Sequence, residues 1–410
     1  MVFDEFGPER SHWNGECYHC KRFNTSKSWC QSCDPQKIIH ERMSGNKDID
    51  NFIIKLQLKT TGFDKVIEWI PFDRLVNVQF IGEGGFGSVF SAVWLDGIRI
   101  IENDYTGKDK RWSRKPSCIV ALKTLSGSQA SALDFLKEFE NHLQCRFNGS
   151  RLEVYGLTQN TTNEYMMVLQ YANKGSLNNN LSSNFKNLTW EVKLKQLEEI
   201  SNDLDKIHKA GYIHCDFHSG NILQNQCIDG RIISYIADLG LSRVADNSGS
   251  ENGIYGVMPY VAPEILLGHE YTSAADIYGL GVIMAEMSTG KKPFDGFSFN
   301  TKLAVRIING LRPEFAPGTP DRYIELAMKC MDEDPKKRPD ASMVYKWLLY
   351  WKSSINTMNN QETFEIKNEF LAADEIITKM SIDSQKHPNS MYTSKFVNTQ
   401  EIKALSNKIL

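Results

Sequence analysis

The sequence lacks any apolar run long enough to cross a bilayer as a helix, and residues 1–5 lack the apolar stretch of a secretory signal. Charge of one sign is also scarce, because 47 basic residues face 50 acidic ones and leave a formal net charge of -3. This balance gives no general reason to expect nucleic acid or an anionic membrane as a partner. We therefore expect an intracellular protein without a membrane span, located in the cytoplasm or alternatively in the nucleus.

Nine cysteines are present, and in a reducing compartment they are expected to be thiols or metal ligands rather than disulfides. Four of them form two C-x2-C pairs, Cys17 with Cys20 and Cys30 with Cys33. Such pairs can place four thiolates around one structural zinc ion. His19 could replace one of the cysteines as a zinc ligand, or it could take no part in the site. Since the segment has few apolar residues, we predict that residues 1–47 form a zinc-stapled module, with reduced thiols on a disordered arm as the alternative.

Two side chains suited to one phosphate group stand close together in the stretch 212–223. Asp216 and Asn221 lie five positions apart between apolar ends. A carboxylate can accept the proton of an attacking hydroxyl, and an amide oxygen can hold a metal ion. The pairing therefore indicates phosphoryl transfer. The stretch resembles the catalytic loop of protein kinases, usually H-R-D-L-x-x-x-N, with Cys215 where the family has arginine.

A second phosphate-binding pattern lies upstream, where Gly82, Gly84 and Gly87 separate two predicted strands. Glycines at this spacing let the backbone approach phosphates and offer them its amide donors. Dinucleotide-binding folds use the same spacing, but there a helix follows. Here Val89 continues into a second strand, as it does in the glycine-rich loop of kinases.

The kinase resemblance implies how the rest of ATP would be bound. Lys123, at the end of the predicted strand 119–123, would hold the α- and β-phosphates. Its partner on the next predicted helix would be Glu138, with Glu140 as the alternative. The implied adenine pocket has Leu169 as gatekeeper and backbone groups from Gln170 to Ala172 at the adenine edge, with three side chains around the ring: Val89, Ala121 and Leu223.

The resemblance also implies the magnesium ligands and two structural contacts. Asp238, in an Asp-Leu-Gly triplet similar to D-F-G, would hold the magnesium ion that bridges the phosphates, and Asn221 would hold the second ion. Glu264 of the A-P-E motif would pair with Arg338, and Asp276 would anchor the catalytic loop.

These motifs imply an α+β bilobal protein kinase fold, with a small β-rich N-lobe over 74–172 and a larger helical C-lobe over 173–352. Residues 48–73 are predicted to link it to the zinc module through a helix over 48–58. The basic stretch 94–117 is expected to be a solvated loop. In the polar tail 353–410 we predict an amphipathic helix over 362–380, which either folds back or binds a partner, and a flexible remainder.

Three departures from the usual kinase pattern affect the expected activity: Cys215, His218 in place of a lysine, and Val257 in place of a threonine. Cys215 cannot bind a phosphate as arginine does, so we expect little dependence on activation-loop phosphorylation at Ser242, Ser248, Ser250 or Tyr255.

The chain most resembles tyrosine-kinase-like serine/threonine kinases, and its cysteine module is similar to that of a large fungal expansion of them. We expect ATP-dependent phosphorylation of protein serine and threonine hydroxyls in signalling, with upstream partners binding the N-terminal module or the tail. A tyrosine or dual-specificity kinase and a nucleotide-binding pseudokinase scaffold are the alternatives.

Overall fold

The structure is a computed structural model that describes residues 9–39, 43–84, 87–103, 110–124, 132–239, 242–244, 253–357, 360–377 and 392–409. The chain divides into two compact units. The first comprises Met1–Phe139 and Glu153–Tyr171, and the second comprises Glu140–Leu152 and Ala172–Leu410. The first is built on a β-sheet and the second is mostly helical, consistent with the predicted β-rich and helical lobes.

A six-stranded sheet forms the centre of the first unit, in the order β1-β7-β8-β6-β3-β2. Only the β1–β7 pair among these neighbours is parallel. Its strands, together with the separate hairpin β4–β5, have these bounds: β1 Glu68–Trp69, β2 Leu75–Gly84, β3 Gly87–Trp94, β4 Arg99–Asn103, β5 Lys110–Arg114, β6 Cys118–Thr124, β7 Val154–Gln159 and β8 Tyr165–Gln170.

Alternation along these strands separates two faces of the sheet. Val120 and Leu122 of β6 pack with Met166 and Val168 of β8 in a buried cluster on one face. Because successive strand residues point to opposite faces, the residues between and beside them lie on the other face. That face therefore carries Lys123, and it also carries three of the predicted adenine-pocket residues: Val89, Ala121 and Leu169.

Three helices accompany this sheet: α1 Pro35–Ile38, α2 Lys47–Lys59 and α3 Ala132–Phe147. The boundary between the two units falls within α3. Asn46 caps the start of α2 by accepting the backbone N–H groups of Asp48 and Ile49. The helix predicted over 48–58 is therefore confirmed. The sequence did not reveal that the following segment adds β1 to the sheet.

The prediction of a solvated loop over 94–117 is wrong for the part of that stretch that the structure describes. β4 and β5 form an antiparallel hairpin. Trp112 stacks on Phe63 with ring centroids 4.6 Å apart, and its indole N–H donates to the Ser28 carbonyl at 3.0 Å. Arg99 and Arg114 both contact the buried Glu68 carboxylate. The basic residues of this stretch had indicated a loop, but some of them belong to a strand with one packed face. Lys108 lies outside the described residues.

The second unit contains nine helices among its described residues: α4 Leu177–Asn184, α5 Trp190–Lys209, α6 Pro263–Leu266, α7 Ser273–Thr289, α8 Thr301–Ile308, α9 Asp321–Cys330, α10 Ala341–Asn356, α11 Gln361–Ile377 and α12 Thr399–Ile409. The apolar helix α7 is buried along most of its length and passes through the main core. Six short strands form antiparallel pairs: β9 Tyr212–Ile213 with β12 Arg243–Val244, β10 Ile222–Gln226 with β11 Ile232–Ile236, and β13 Ile254–Gly256 with β14 Lys395–Val397.

The C-terminal stretch is part of this unit's packing. Helix α11 buries Ile366, Phe370 and Ala373 in the main core, so of the two alternatives for the amphipathic helix the structure has the folded-back one. The expectation of a flexible remainder is wrong for 392–409, which form β14 and α12, with Ile402 buried in the same core. Within the described parts of the chain, no helix combines the length and apolar character that a membrane span requires.

Candidate active site

The first unit pairs the predicted phosphate-binding lysine with an acid. Lys123 Nζ donates to Glu138 Oε1 at 2.8 Å, and both side chains are almost fully buried. The choice of Glu138 over Glu140 as the contact agrees with the structure. The contact fixes the position of the lysine, since both partners are buried residues of the first unit. Its role toward ATP stays a prediction.

The predicted glycine-rich turn lies between β2 and β3, which pair up to Gly84 and Gly87. Gly87 has a φ of 145°, a backbone conformation that side chains disfavour. A Cβ atom added at Gly82 would meet no atom of the chain within 4 Å, so internal packing does not require glycine there. Gly85 and Phe86 lie outside the described residues.

In the second unit, Asp276 of α7 holds the start of the catalytic loop. Its carboxylate accepts the backbone N–H groups of His214 at 2.8 Å and Cys215 at 3.1 Å, and it lies 2.9 Å from His208 Nε2. Cys215 has a φ of 66°, which is strained for a residue with a side chain. The contacts from Asp276 stabilise that conformation. The anchoring predicted for Asp276 is therefore present.

His214 connects the backbone of Asp216 to the segment that leads to Asp238. Its Nδ1 accepts the Asp216 backbone N–H at 3.3 Å, so Nε2 carries the proton and donates to the Ala237 carbonyl at 3.0 Å. The two predicted acids therefore belong to one hydrogen-bonded framework. Asp238 itself has a φ of 64°, and Leu239 N–H donates to His142 Nε2 at 3.4 Å.

Asp216 is buried beside several polar groups. Burial alone would raise the pKa of its carboxyl, but the interactions with His218 and a hydrogen bond from Ser394 outweigh burial and lower the pKa. His218 Nδ1 accepts the Gly220 backbone N–H at 3.1 Å, so Nε2 carries the ring proton, and it lies 3.5 Å from Asp216 Oδ2. Asp216 is therefore an ionised acceptor at neutral pH.

Asn221 is oriented by the loop it belongs to. Its Nδ2 donates to the Asp216 carbonyl at 3.0 Å and lies 3.4 Å from Asp216 Oδ2. With the amide nitrogen used in this way, Oδ1 is the atom left to face a cation, and it accepts no hydrogen bond from the described residues. This is the orientation that a magnesium ligand needs.

The adenine-pocket residues are divided between the units. Val89, Ala121, Leu169 and Gln170 belong to the sheet of the first unit. Within the second unit, Ala172 and Leu223 pack against a cluster of Leu152, Tyr235 and Ala237. Their roles toward ATP stay predictions.

A buried network behind the catalytic loop was missed by sequence reasoning. Glu286 of α7 accepts hydrogen bonds from Ser219 at 3.0 Å and from the Tyr260 hydroxyl at 2.8 Å. Burial raises the pKa of Glu286 to about 7. The predicted pair of Glu264 and Arg338 is also present, with two contacts of 2.7 Å. No local pattern marks Glu286, because its partners are far away in sequence.

The residues that make this sequence unusual are buried. Cys215 is 6% exposed and its thiol faces the Ile213 carbonyl, while Val257 is 2% exposed. Of the candidate phosphorylation sites, Ser242 donates to the Leu239 carbonyl at 2.6 Å and Tyr255 is half exposed. Ser248 and Ser250 lie outside the described residues.

The four cysteines of the N-terminal segment form a cluster in the first unit. The Sγ atoms of Cys17, Cys20, Cys30 and Cys33 all lie within 4.8 Å of one another, and the Cys20 and Cys30 sulfurs are 3.7 Å apart. A tetrahedral zinc site with Zn–S bonds of about 2.3 Å places sulfurs about 3.8 Å apart, so the cluster could hold such an ion. His19 is not among the clustered ligand atoms.

Cationic and amide donors favour the thiolate at Cys20 and Cys30, whereas burial raises the pKa of Cys33 to about 12. Arg10 Nη1 donates to Cys30 Sγ at 3.5 Å. A backbone hydrogen bond from Arg22 lowers the pKa of Cys20 to about 6. Since metals bind the thiolate form, this environment suits a metal site.

Comparison with known proteins identifies relatives of most of the chain. Residues 75–348 match the sequence profile of the family described as protein tyrosine and serine/threonine kinase. Three relatives come from Dictyostelium discoideum. The probable serine/threonine-protein kinase roco5 is 27% identical over 73% of this chain, and roco11, with the same description, is 28% identical over 74%. Cyclic GMP-binding protein C is 32% identical over 72%.

These relatives are much longer proteins. The matched part is 10% of roco5, 20% of roco11 and 12% of cyclic GMP-binding protein C. The chain thus spans a fifth or less of their length.

Proposed function

Because the chain belongs to the protein tyrosine and serine/threonine kinase family, we propose that it transfers the γ-phosphate of ATP to serine and threonine hydroxyls of protein substrates. The observation that carries this proposal is Asp216, a buried carboxylate with a lowered pKa, held in place by backbone and side-chain contacts on both sides of the loop. Such a group can accept the proton of an attacking hydroxyl.

In this mechanism each residue has a separate task. Lys123, fixed by Glu138, binds the α- and β-phosphates, and the glycine-rich turn from Gly82 to Gly87 offers backbone amides to them. Asp216 orients the substrate hydroxyl and takes its proton while the oxygen attacks the γ-phosphorus in line. The rate enhancement comes from positioning and charge stabilisation rather than from a covalent intermediate.

Asn221 and Asp238 are the residues that would hold magnesium. The amide orientation of Asn221 fits that role, and Asp238 adds a carboxylate between Ala237 and Leu239, whose backbones are hydrogen-bonded to His214 and His142. When bound, magnesium would neutralise charge that develops on the phosphates.

Several finer assignments belong to the same proposal. Relatives described as serine/threonine-protein kinases favour those hydroxyls over tyrosine. A tyrosine-kinase-like group and the fungal expansion are also proposed, from the sequence motifs, and a cytoplasmic location is proposed as well. A pseudokinase scaffold is disfavoured because the lysine, the two aspartates and the asparagine are all present. The cysteine cluster is proposed to bind one structural zinc ion, because its four sulfurs fit a closed tetrahedral site.

The test is γ-phosphate transfer to serine, threonine and tyrosine peptides with magnesium. Asp216→Asn should lower turnover by a factor of about 10³ and keep nucleotide affinity, since it removes the proton acceptor and little else. Asp229→Asn is the matched control, because Asp229 is an exposed partner of Arg231. Equal turnover by Asp216→Asn and the parent protein would contradict the proposal, and so would transfer confined to tyrosine.

A further inference from the structure

A side chain from the C-terminal stretch contacts the predicted catalytic carboxylate. Ser394 Oγ donates a hydrogen bond to Asp216 Oδ2 at 2.5 Å, although the two residues are 178 positions apart. Both residues belong to the second unit. A hydroxyl donating to the catalytic aspartate is the arrangement expected of the group about to be phosphorylated.

The backbone around Ser394 is held as a strand. β14 pairs antiparallel with β13, so that Lys395 lies opposite Gly256 and Phe396 lies opposite Tyr255. The rings of Phe396 and Tyr255 also touch, with centroids 5.6 Å apart. Adding a strand to an exposed edge is a common way to bind an extended peptide, because main-chain hydrogen bonds supply affinity for almost any sequence.

Contacts on both sides of Ser394 fix its position along this edge. Before it, the Tyr392 hydroxyl donates to the Pro293 carbonyl at 2.9 Å, and Lys292 lies over the Tyr392 ring. After it, α12 buries Ile402 at 2% exposure, and Thr301 donates to Glu401 at 3.2 Å. Thr393, the neighbouring hydroxyl, is exposed instead. The chain therefore selects one hydroxyl for Asp216.

We propose that Ser394 is a phosphoacceptor of this chain's own kinase site, and that the segment 392–409 occupies the place of a protein substrate until it is phosphorylated. This inference rests on the proposed function. In the step, the Ser394 O–H bond breaks and its proton passes to Asp216. Oγ forms a bond to the γ-phosphorus of ATP, the bond from that phosphorus to the bridging oxygen breaks, and ADP leaves with the electron pair.

The product should be less well held than the starting segment. A phosphoserine carries about -1.5 to -2 charges at neutral pH, and here it would stand beside the Asp216 carboxylate. Like-charge repulsion would release β14 from β13. The edge of residues 254–256 then becomes available to other protein substrates.

Competition by the docked segment can be measured in the full-length chain carrying Ser394→Ala, because that chain cannot release the segment by phosphorylating Ser394 during the assay. Ile402→Asp places a charge at a buried position of α12 and should release the segment, whereas Ala404→Asp puts the same charge at an exposed position of that helix. If the segment is docked about nine-tenths of the time, releasing it lowers the KM for a protein substrate about tenfold with little change in kcat. An unchanged KM for Ile402→Asp, in a protein that keeps its fold, would contradict competition.

Phosphorylation itself is tested by radiolabel and mass spectrometry on dephosphorylated full-length protein with ATP and magnesium. We expect label on Ser394 at a rate that does not change over a hundredfold range of protein concentration, no label there in Ser394→Ala, and normal label in Thr393→Ala. A rate proportional to concentration would overturn the intramolecular arrangement. Transfer to an added peptide without any label on Ser394 would overturn this inference and leave the proposed function intact, whereas no transfer to either would overturn both.

Discussion

The two ends of the chain lie outside the residues that match the kinase family. Each end contacts a different part of the kinase domain, and the two contacts should have different effects on activity. At the N-terminal end, Phe52 of α2 packs on Phe139 with ring centroids 6.1 Å apart, one residue after the partner of Lys123. At the C-terminal end, Ser394 contacts Asp216 itself. One end thus supports the helix that carries Glu138, and the other places a hydroxyl against the predicted catalytic carboxylate. Loss of the N-terminal support should therefore lower turnover, and release of the C-terminal segment should favour outside substrates.

Among the tests of this difference between the two ends, the largest effect is expected at the cysteine cluster of the N-terminal end. Cys30→Ser removes one of four ligands, and because binding of a structural zinc ion contributes about 10 kcal/mol or more to folding, the N-terminal module should unfold. Elemental analysis should find one zinc per parent chain and none in the variant, and proteolysis should cut residues 9–39 first. Cys227→Ser, at a cysteine outside the cluster, is the control. One zinc per chain in Cys30→Ser would refute the four-ligand site.

The attachment of the hairpin to the N-terminal end depends on one buried acid. Glu68 is 4% exposed and contacts Arg99 and Arg114, so Glu68→Gln removes a buried negative charge that two guanidinium groups contact. We expect a loss of about 3 to 5 kcal/mol in the free energy of unfolding, measured by urea denaturation. Asp96→Asn breaks the more exposed pair with Arg74 and should cost about 1 kcal/mol or less. Equal losses for the two variants would contradict a special role for Glu68.

Sequence reasoning succeeded where a contact is encoded locally. Lys123 and Glu138 are fifteen residues apart on a strand and the next helix, and the cysteine pairs lie within one short segment. Distant contacts such as Glu264 with Arg338 were predicted only because the kinase resemblance implies them. Sequence reasoning failed where a contact depends on distant packing that no family motif implies. Trp112 looked like part of a charged loop because its partners, Ser28 and Phe63, come from another part of the chain. Nothing around Ser394 in the sequence points to Asp216, since only the placement of α12 and β14 brings them together.

At the C-terminal end, α11 lies near a buried lysine of α5. We expect this lysine to lower the stability of the fold. Lys193 Nζ has no hydrogen-bond partner among the described residues and lies over the rings of Phe185 and Trp190, 4.0 and 4.8 Å from their centroids. Burial lowers its pKa to about 7, although the charge of Asp374 on α11 opposes this. The folded protein therefore disfavours the charged lysine.

The sign of the pH dependence follows from this shift. Between about pH 7 and 10.5 the unfolded chain binds a proton at Lys193 that the folded chain does not, so stability rises with pH across that window. Lys193→Met should remove that rise and add about 1 to 3 kcal/mol at pH 7, measured by denaturant titration at several pH values. Lys209→Met, at an exposed lysine of the same helix, should change stability by less than about 0.5 kcal/mol. If the free energy of unfolding changes by the same amount between pH 7 and 10 in the parent protein and in Lys193→Met, the assignment is contradicted.

The smallest effect is expected from the activation segment, which precedes the edge that β14 covers. In many kinases an arginine before the catalytic aspartate binds a phosphate there, but here Cys215 is buried and offers a thiol instead of a guanidinium. Replacing Ser242, Ser248 and Ser250 by alanine and Tyr255 by phenylalanine should therefore leave kcat/KM on a peptide within about threefold of the parent value, less than 1 kcal/mol in the barrier. Phenylalanine keeps the ring that contacts Phe396, so the variant removes the hydroxyls without releasing the C-terminal segment.

Cys215→Arg is the complementary variant. If it makes activity depend on phosphorylation of these residues, the cysteine is the reason that the parent protein does not need that phosphorylation. If kcat/KM falls tenfold or more in the fourfold variant while its fold is intact, a cationic side chain other than an arginine at position 215 binds the phosphate.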